Sequence, residues 1–281
     1  MDDARANEGA AGDSLGGFLA LFSTLWRGGH FEGDPLDPMG RSGYQLQGYL
    51  SSLYATYLCC IKPFVGSDTV AIEIGPGRGG WTKAIAAGNP KHIYAVDVAS
   101  PEHTGFWTYV GRRPNVDYIV AHDFSLDGIP DATATYAFSF GTFCHLRPEM
   151  CDAYFRALAR KMRGGGHGFI AIADFDKFNR GSYNADDVSI ERALLVGKRY
   201  LLVRAAFAVT KWLLPSRFRE PVLDARAEPP AIENAPAGLQ YHLGTERACA
   251  MLRDAGFDIV DRDMGVNHRD PLIHFAKPAT P

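Results

Sequence analysis

From residue 69 onward, short apolar runs alternate with stretches of helical periodicity, and this alternation is the strongest pattern in the chain. Residues 69–74 (TVAIEI) are a β-branched apolar run that stops at glycines, and 80–88 (GWTKAIAAG) reads as a helix closed by Gly88. Further strands are expected at 92–98, 116–123, 134–143 and 168–175, with a helix over 148–162 that stops at Gly164-Gly165-Gly166. A last helix is expected over 245–256, with Gly256 as its C-cap, and two closing strands at 257–264 and 271–278. Apolar strands separated by helices predict an α/β fold with a mostly parallel sheet covered on both faces.

Other parts of the chain depart from this rhythm. Residues 1–15, rich in Ala, Gly, Asp and Glu, read as a loose tail, and 16–27 (LGGFLALFSTLW) as a packed helix. A Gly- and Pro-rich loop covers 28–43. After it, Leu46, Leu50, Leu53, Tyr54, Tyr57, Leu58 and Ile61 recur at three- and four-residue steps, which predicts an amphipathic helix ending near Pro63. Residues 176–240 interrupt the alternation with a candidate helix over roughly 186–214 and a Pro-rich stretch. The expected organisation is a tail (1–15), a helical N-terminal layer (16–67), a domain made of 68–175 and 241–281, and a cap insertion (176–240).

Composition narrows the partners. The 281 residues are 46% hydrophobic with a formal net charge of -3, so no global basic excess recommends nucleic acid. Five cysteines without a C-x-x-C pair suit thiols better than a disulfide framework. With no basic segment leading into an apolar one at the N-terminus, no secretory leader is expected, and the cysteine usage points to a reducing cytoplasm.

The chemistry concentrates in Glu73-Ile74-Gly75-Pro76-Gly77-Arg78-Gly79-Gly80, between a strand and a helix, where a parallel sheet presents its ligand crevice. Gly75 and Gly77 remove side chains so that a ligand can approach the backbone. Asp97 follows Gly75 by 22 residues and can accept hydrogen bonds from both hydroxyls of a ribose. Gly75, Gly77 and Gly80 also satisfy G-x-G-x-x-G, so a nicotinamide dehydrogenase is an alternative, as is a cofactor-binding protein without turnover. Glu73 favours a cationic ligand over a pyrophosphate. Asp123 and Phe124 offer a carboxylate for an adenine amino group and a ring for the adenine surface.

EIGPGRGG, the AVDV that holds Asp97, HDFS at 122–125 and FSFGTFCHL at 138–146 together resemble the class I S-adenosylmethionine-dependent methyltransferases. The resemblance covers about 68–176 and 245–278. It implies a Rossmann-like seven-stranded sheet with a reversed final strand. It also implies that Gly75 and Gly77 line the methionine moiety, that Glu73 helps hold the amino end and that Asp97 binds ribose. Asp123 and Phe124 would flank adenine, with Gly141 nearby on the fourth-strand loop. The Phe-x-His-Leu at 143–146 looks particularly like small-molecule and sugar O-methyltransferases. Gly141 stands where many relatives carry Asp, which removes one metal ligand, and no metal is expected.

An alcohol acceptor must lose a proton, and the base should lie at the carboxyl end of the sheet. His145 is the first candidate, since imidazole titrates near neutrality. Asp174 is the second; its other reading is a cap for the next segment. Tyr241 and His242 begin the return from the insertion and are candidates to face the acceptor. His30, Asp34, Arg41, Tyr44 and Gln45 are weaker candidates from the N-terminal layer. Residues 192–219 carry seven Lys or Arg side chains among apolar ones and no acid. Such a segment suits a lipid surface or an anionic acceptor, or equally a core or homodimer helix with a basic solvent edge. The function expected is O-methylation of a small-molecule or glycan hydroxyl, with N- or C-methylation or a phenolic natural product as alternatives.

Overall fold

The computed structural model describes residues 34–38, 45–46, 50–177, 241–267 and 270–279. The expected tail, the helix at 16–27 and nearly all of the cap insertion, including 192–219, lie outside the described residues.

The N-terminal layer differs from the helix expected over 46–61. Gln45–Leu46 (β1) and Leu50–Ser51 (β2) pair antiparallel as a minimal hairpin, and the helix starts only at Ser52. Apolar residues four apart fit a hairpin as well as a helical turn, so the pattern alone could not separate them. The helix Ser52–Thr56 (α1) runs into a π-helical turn, Tyr57–Ile61, in which Lys62 N donates to Tyr57 O. The wider turn carries Cys60 and Ile61 into the core.

The strands are Val70–Ile74 (β3), His92–Asp97 (β4), Val116–Val120 (β5), Ala134–Ser139 (β6), Met162–Ala171 (β7), Asp258–Asp261 (β8) and Leu272–Ala276 (β9). They form one seven-stranded sheet in the order β5-β4-β3-β6-β7-β9-β8. β9 runs antiparallel to both neighbours, and the other pairings are parallel. This is the Rossmann-like sheet with a reversed final strand that the family resemblance implied. The strand order changes direction at β3, so the crevice opens where β3 and β6 part.

Gly80–Ala86 (α2), Pro101–Thr104 (α3) and Phe106–Val110 (α4) join the early strands, and Pro148–Lys161 (α5) and Thr245–Asp254 (α6) join the later ones. β7 begins six residues earlier than expected. The glycine triplet therefore lies within the strand, where the β6–β7 pairing shifts register between Ala134 and Tyr136. Strand alternation divides the core between two faces. Ile72, Ile74, Ala137 and Ile170 pack with Phe155 and Leu158 of α5 and Leu252 of α6. Ala71, Ala95, Phe138 and Phe169 pack with Leu53, Ile61, Trp81, Ile85 and Phe106. The five cysteines are free thiols, and only Cys59 is exposed. Among the described residues no helix is long and apolar enough to cross a membrane.

The β7–β9 pair buries an imidazole couple. His167 Nδ1 and His274 Nε2 lie 3.0 Å apart, with Phe64 packed against both rings. Burial, together with the charge of His167, pushes the His274 pKa down from 6.5 to about 4, and Asp261 opposes this. A depressed histidine pKa favours the fold fully above the unfolded value and loses that contribution as pH falls. Stability should therefore fall by about 3 kcal/mol between pH 6.5 and 4 from this group. Thermal unfolding across that range should show the slope, and His274→Phe should remove most of it. An unchanged slope in the variant would assign the effect elsewhere.

Candidate active site

The crevice is floored by the turn between β3 and α2. Gly75 (φ +72°), Gly77 (φ +53°) and Gly79 (φ +97°) all take left-handed backbone, which residues with a Cβ adopt only under strain. Gly75 N donates to Val96 O at 2.8 Å, and Gly79 N to Pro76 O at 2.8 Å. A Cβ on Gly75 would lie 1.8 Å from Thr142 Oγ1, and one on Gly79 would lie 2.2 Å from a Val110 methyl. The turn is thus pressed against β6's exit on one side and α4 on the other.

Two carboxylates hold the turn from below. Glu73, 1% exposed, accepts a hydrogen bond from Thr82 Oγ1 at 2.6 Å, which ties the end of β3 to α2. Asp97, at the end of β4, accepts from Gly77 N at 2.9 Å and from Ala99 N at 3.0 Å. Burial pushes the Asp97 pKa up, and the amides of Ala99, Gly77 and Val98 pull against that shift. Thr82 went unrecognised in the sequence; a hydroxyl two residues into the helix after a buried strand-end Glu was its signal.

Asp123 lies beyond the end of β5, exposed, and its Oδ1 accepts from Ser125 N and Ser125 Oγ. The Ser125 hydroxyl is the main cause that lowers its pKa. Phe124 is half-buried and meets Tyr154 edge-on, ring centroids 4.9 Å apart. Arg78 and Lys83 both lie over the Tyr109 ring, at 4.7 and 4.4 Å. Asp34 Oδ1 accepts from Leu36 N, while Leu36 packs on the second core face. His30, Arg41 and Tyr44 lie outside the described residues, and Gln45 is part of β1.

After β6, Gly141 (φ +80°) leads into Thr142 and a single 3-10 turn, Phe143–His145. His145 is half-buried, and its N donates to Thr142 O at 2.9 Å. Buried Phe143 stacks on Phe155 at 5.4 Å. Cys144 is buried, and its carbonyl accepts from Tyr241 N at 2.8 Å, so the return from the insertion docks on the turn that carries His145. Tyr241 is 7% exposed, with its pKa raised by burial. His242 turns the other way: its Nδ1 accepts from Phe175 N at 3.0 Å and its ring packs on Phe175.

Asp174 is the second candidate base, whose other reading is a cap. Its Oδ2 accepts from Thr245 N and Oγ1, and its Oδ1 from Asp176 N and Lys177 N. Burial raises its pKa, but the bonds from Thr245 and Lys177 outweigh burial and leave it below the ordinary value. A carboxylate with four donors already in place caps α6 and the turn at 175–177; it is poorly suited to take a proton. Among the described residues no three His, Cys, Asp or Glu side chains converge as a metal site.

The donor set suits a nucleoside with a cationic end. One carboxylate sits under a glycine-rich turn, a second closes the next strand, and an exposed carboxylate with an adjacent ring follows the third. No curated protein matches the sequence. Residues 72–170 match the methyltransferase domain family profile. Among solved structures, the fold is similar to an S-adenosylmethionine-dependent methyltransferase from Mesorhizobium loti, with 12% identity and TM-score 0.53 over 80% of this chain and 98% of that one. A Listeria monocytogenes protein assigned to the same activity is also similar, with 14% identity and TM-score 0.50 over 80% of this chain and 96% of the other. The matched residues span the glycine turn, Asp97, Asp123 and His145, and the chain carries a methyltransferase domain there.

Proposed function

We propose that the enzyme methylates a hydroxyl group of a small-molecule or glycan acceptor, and that it works in the cytoplasm. The observation that carries this reading is His145: an imidazole on the turn directly after β6, packed through Thr142 against the glycine turn and backed by Tyr241.

When bound, S-adenosylmethionine supplies an electrophilic methyl group. Gly75 and Gly77 line its methionine part, with Glu73 beneath the amino end. Asp97 takes the ribose hydroxyls, and Asp123 and Phe124 flank the adenine, with Gly141 leaving room beside them. His145 takes the proton from the acceptor hydroxyl at a ring nitrogen, which makes the oxygen a competent nucleophile. Tyr241 stands on the acceptor side. Holding the acceptor in line is itself worth roughly 7–11 kcal/mol of barrier.

Transfer of a labelled methyl group into cell extracts, followed by identification of the labelled product, tests the acceptor class. Label on an oxygen of a small molecule or glycan is expected; label on nitrogen, carbon or a macromolecule other than a glycan would replace this reading. The cofactor assignment has its own test. Asp97→Asn keeps one acceptor for the Gly77 or Ala99 amide but loses the charge, so calorimetry with S-adenosylhomocysteine should show about tenfold weaker binding, or about 1.4 kcal/mol. Unchanged affinity would remove Asp97 from the ribose site.

A further inference from the structure

Thr142 stands where the cofactor turn, the proposed base and the return from the insertion meet. Its hydroxyl fills the space that a side chain on Gly75 would occupy, 1.8 Å from the ideal Cβ position. The same hydroxyl donates to Ile74 O at 3.3 Å, with Gly75 O at 3.5 Å, while Ser139 Oγ donates to Ile74 O at 2.8 Å. Two hydroxyls from the end of β6 therefore grip the peptide that opens the glycine turn. On its other side, Thr142 O accepts from His145 N at 2.9 Å, and Cys144 O accepts from Tyr241 N at 2.8 Å. Phe143, between them, is fully buried and stacked on Phe155. From Gly75 to His145 the path is one side chain and one closed turn, with no loose link along it.

We propose that Thr142 is a positioning residue: its hydroxyl transmits the ordering of the glycine turn by the bound nucleoside to the turn that carries His145. The consequence for catalysis rests on His145 as the base, whereas the coupling between the two turns does not. A hydroxyl that acts by hydrogen bonding can be told from a side chain that merely fills space. Thr142→Val keeps the branched shape and loses the hydroxyl; Thr142→Ser keeps the hydroxyl and loses a methyl.

The test follows the ring signals of His145 by NMR in histidine-labelled full-length protein, assigned with His145→Gln, on titration with S-adenosylhomocysteine. The wild type and Thr142→Ser should show a clear shift at saturation. Thr142→Val should show a shift at least threefold smaller, with the dissociation constant changed less than threefold. A His145 signal that ignores the ligand in the wild type overturns the proposal, as does a Thr142→Val response equal to the wild type's or a loss in Thr142→Ser with retention in Thr142→Val. The base assignment is read separately: a His145 response that depends on Thr142, alongside full methyl transfer by His145→Ala, supports the coupling and removes His145 as the base.

Discussion

Gly75→Ala should weaken binding of S-adenosylmethionine and S-adenosylhomocysteine by about a hundredfold, or about 2.7 kcal/mol. Two effects add at this position. Gly75 has φ +72°, and an L-residue there costs roughly 1–2 kcal/mol. The new methyl would also stand 1.8 Å from Thr142 Oγ1, and Thr142 is a branched side chain already engaged with the Ile74 carbonyl. The turn must therefore move, and it carries Gly77 N, the group that Asp97 holds. Calorimetry with S-adenosylhomocysteine measures the loss. Gly66→Ala is the matched control, because nothing lies within 4 Å of a Cβ there. The double variant Gly75→Ala, Thr142→Ala should recover part of the steric loss, since Thr142 Cβ still stands 2.8 Å from the new methyl, and should leave the backbone part, so the two changes should not be additive. Normal affinity in Gly75→Ala would mean that the cofactor does not depend on this turn.

Much of this site was legible in the sequence because its signals are local. The run TVAIEI followed by glycines, and a carboxylate 22 residues beyond Gly75, are readable without knowing what packs where. The parallel core came from short apolar runs separated by helices, and the reversed last strand came from the resemblance to the methyltransferase family. Several misses have a common physical cause, which is contact between residues far apart in the chain. The cap reading of Asp174 did not name its partner Thr245, 71 residues away, and the grip of Thr142 on Ile74 spans 68. The hairpin at 45–51 was missed because its apolar spacing also fits a helix. The helices α3 and α4 had a local signal that was passed over: Ser100-Pro101-Glu102 is a cap followed by proline, and Ser100 Oγ does accept from His103 N.

His145→Ala should lower kcat by about 10²–10⁴-fold while leaving the affinity for S-adenosylhomocysteine within threefold of the wild type. The site offers few other groups for the proton. Asp174 has its four donors in place, and burial raises the Tyr241 pKa, which leaves its hydroxyl protonated near neutrality. Cys144 is buried, and direct transfer to an acceptor oxygen needs no enzyme nucleophile. A base must be neutral to accept a proton, so the wild-type rate should rise as pH climbs through the imidazole's titration and then level off. His145→Ala should lose that rise along with the rate, and His145→Gln should do the same, since an amide keeps hydrogen bonding but takes no proton. A hundredfold loss corresponds to about 2.7 kcal/mol of transition-state stabilisation. It should appear in turnover and not in cofactor binding, because Thr142 stands between the His145 turn and the cofactor turn. Full turnover in His145→Ala with bound cofactor would show that the acceptor is deprotonated elsewhere, and the search would then move to the groups around Tyr241.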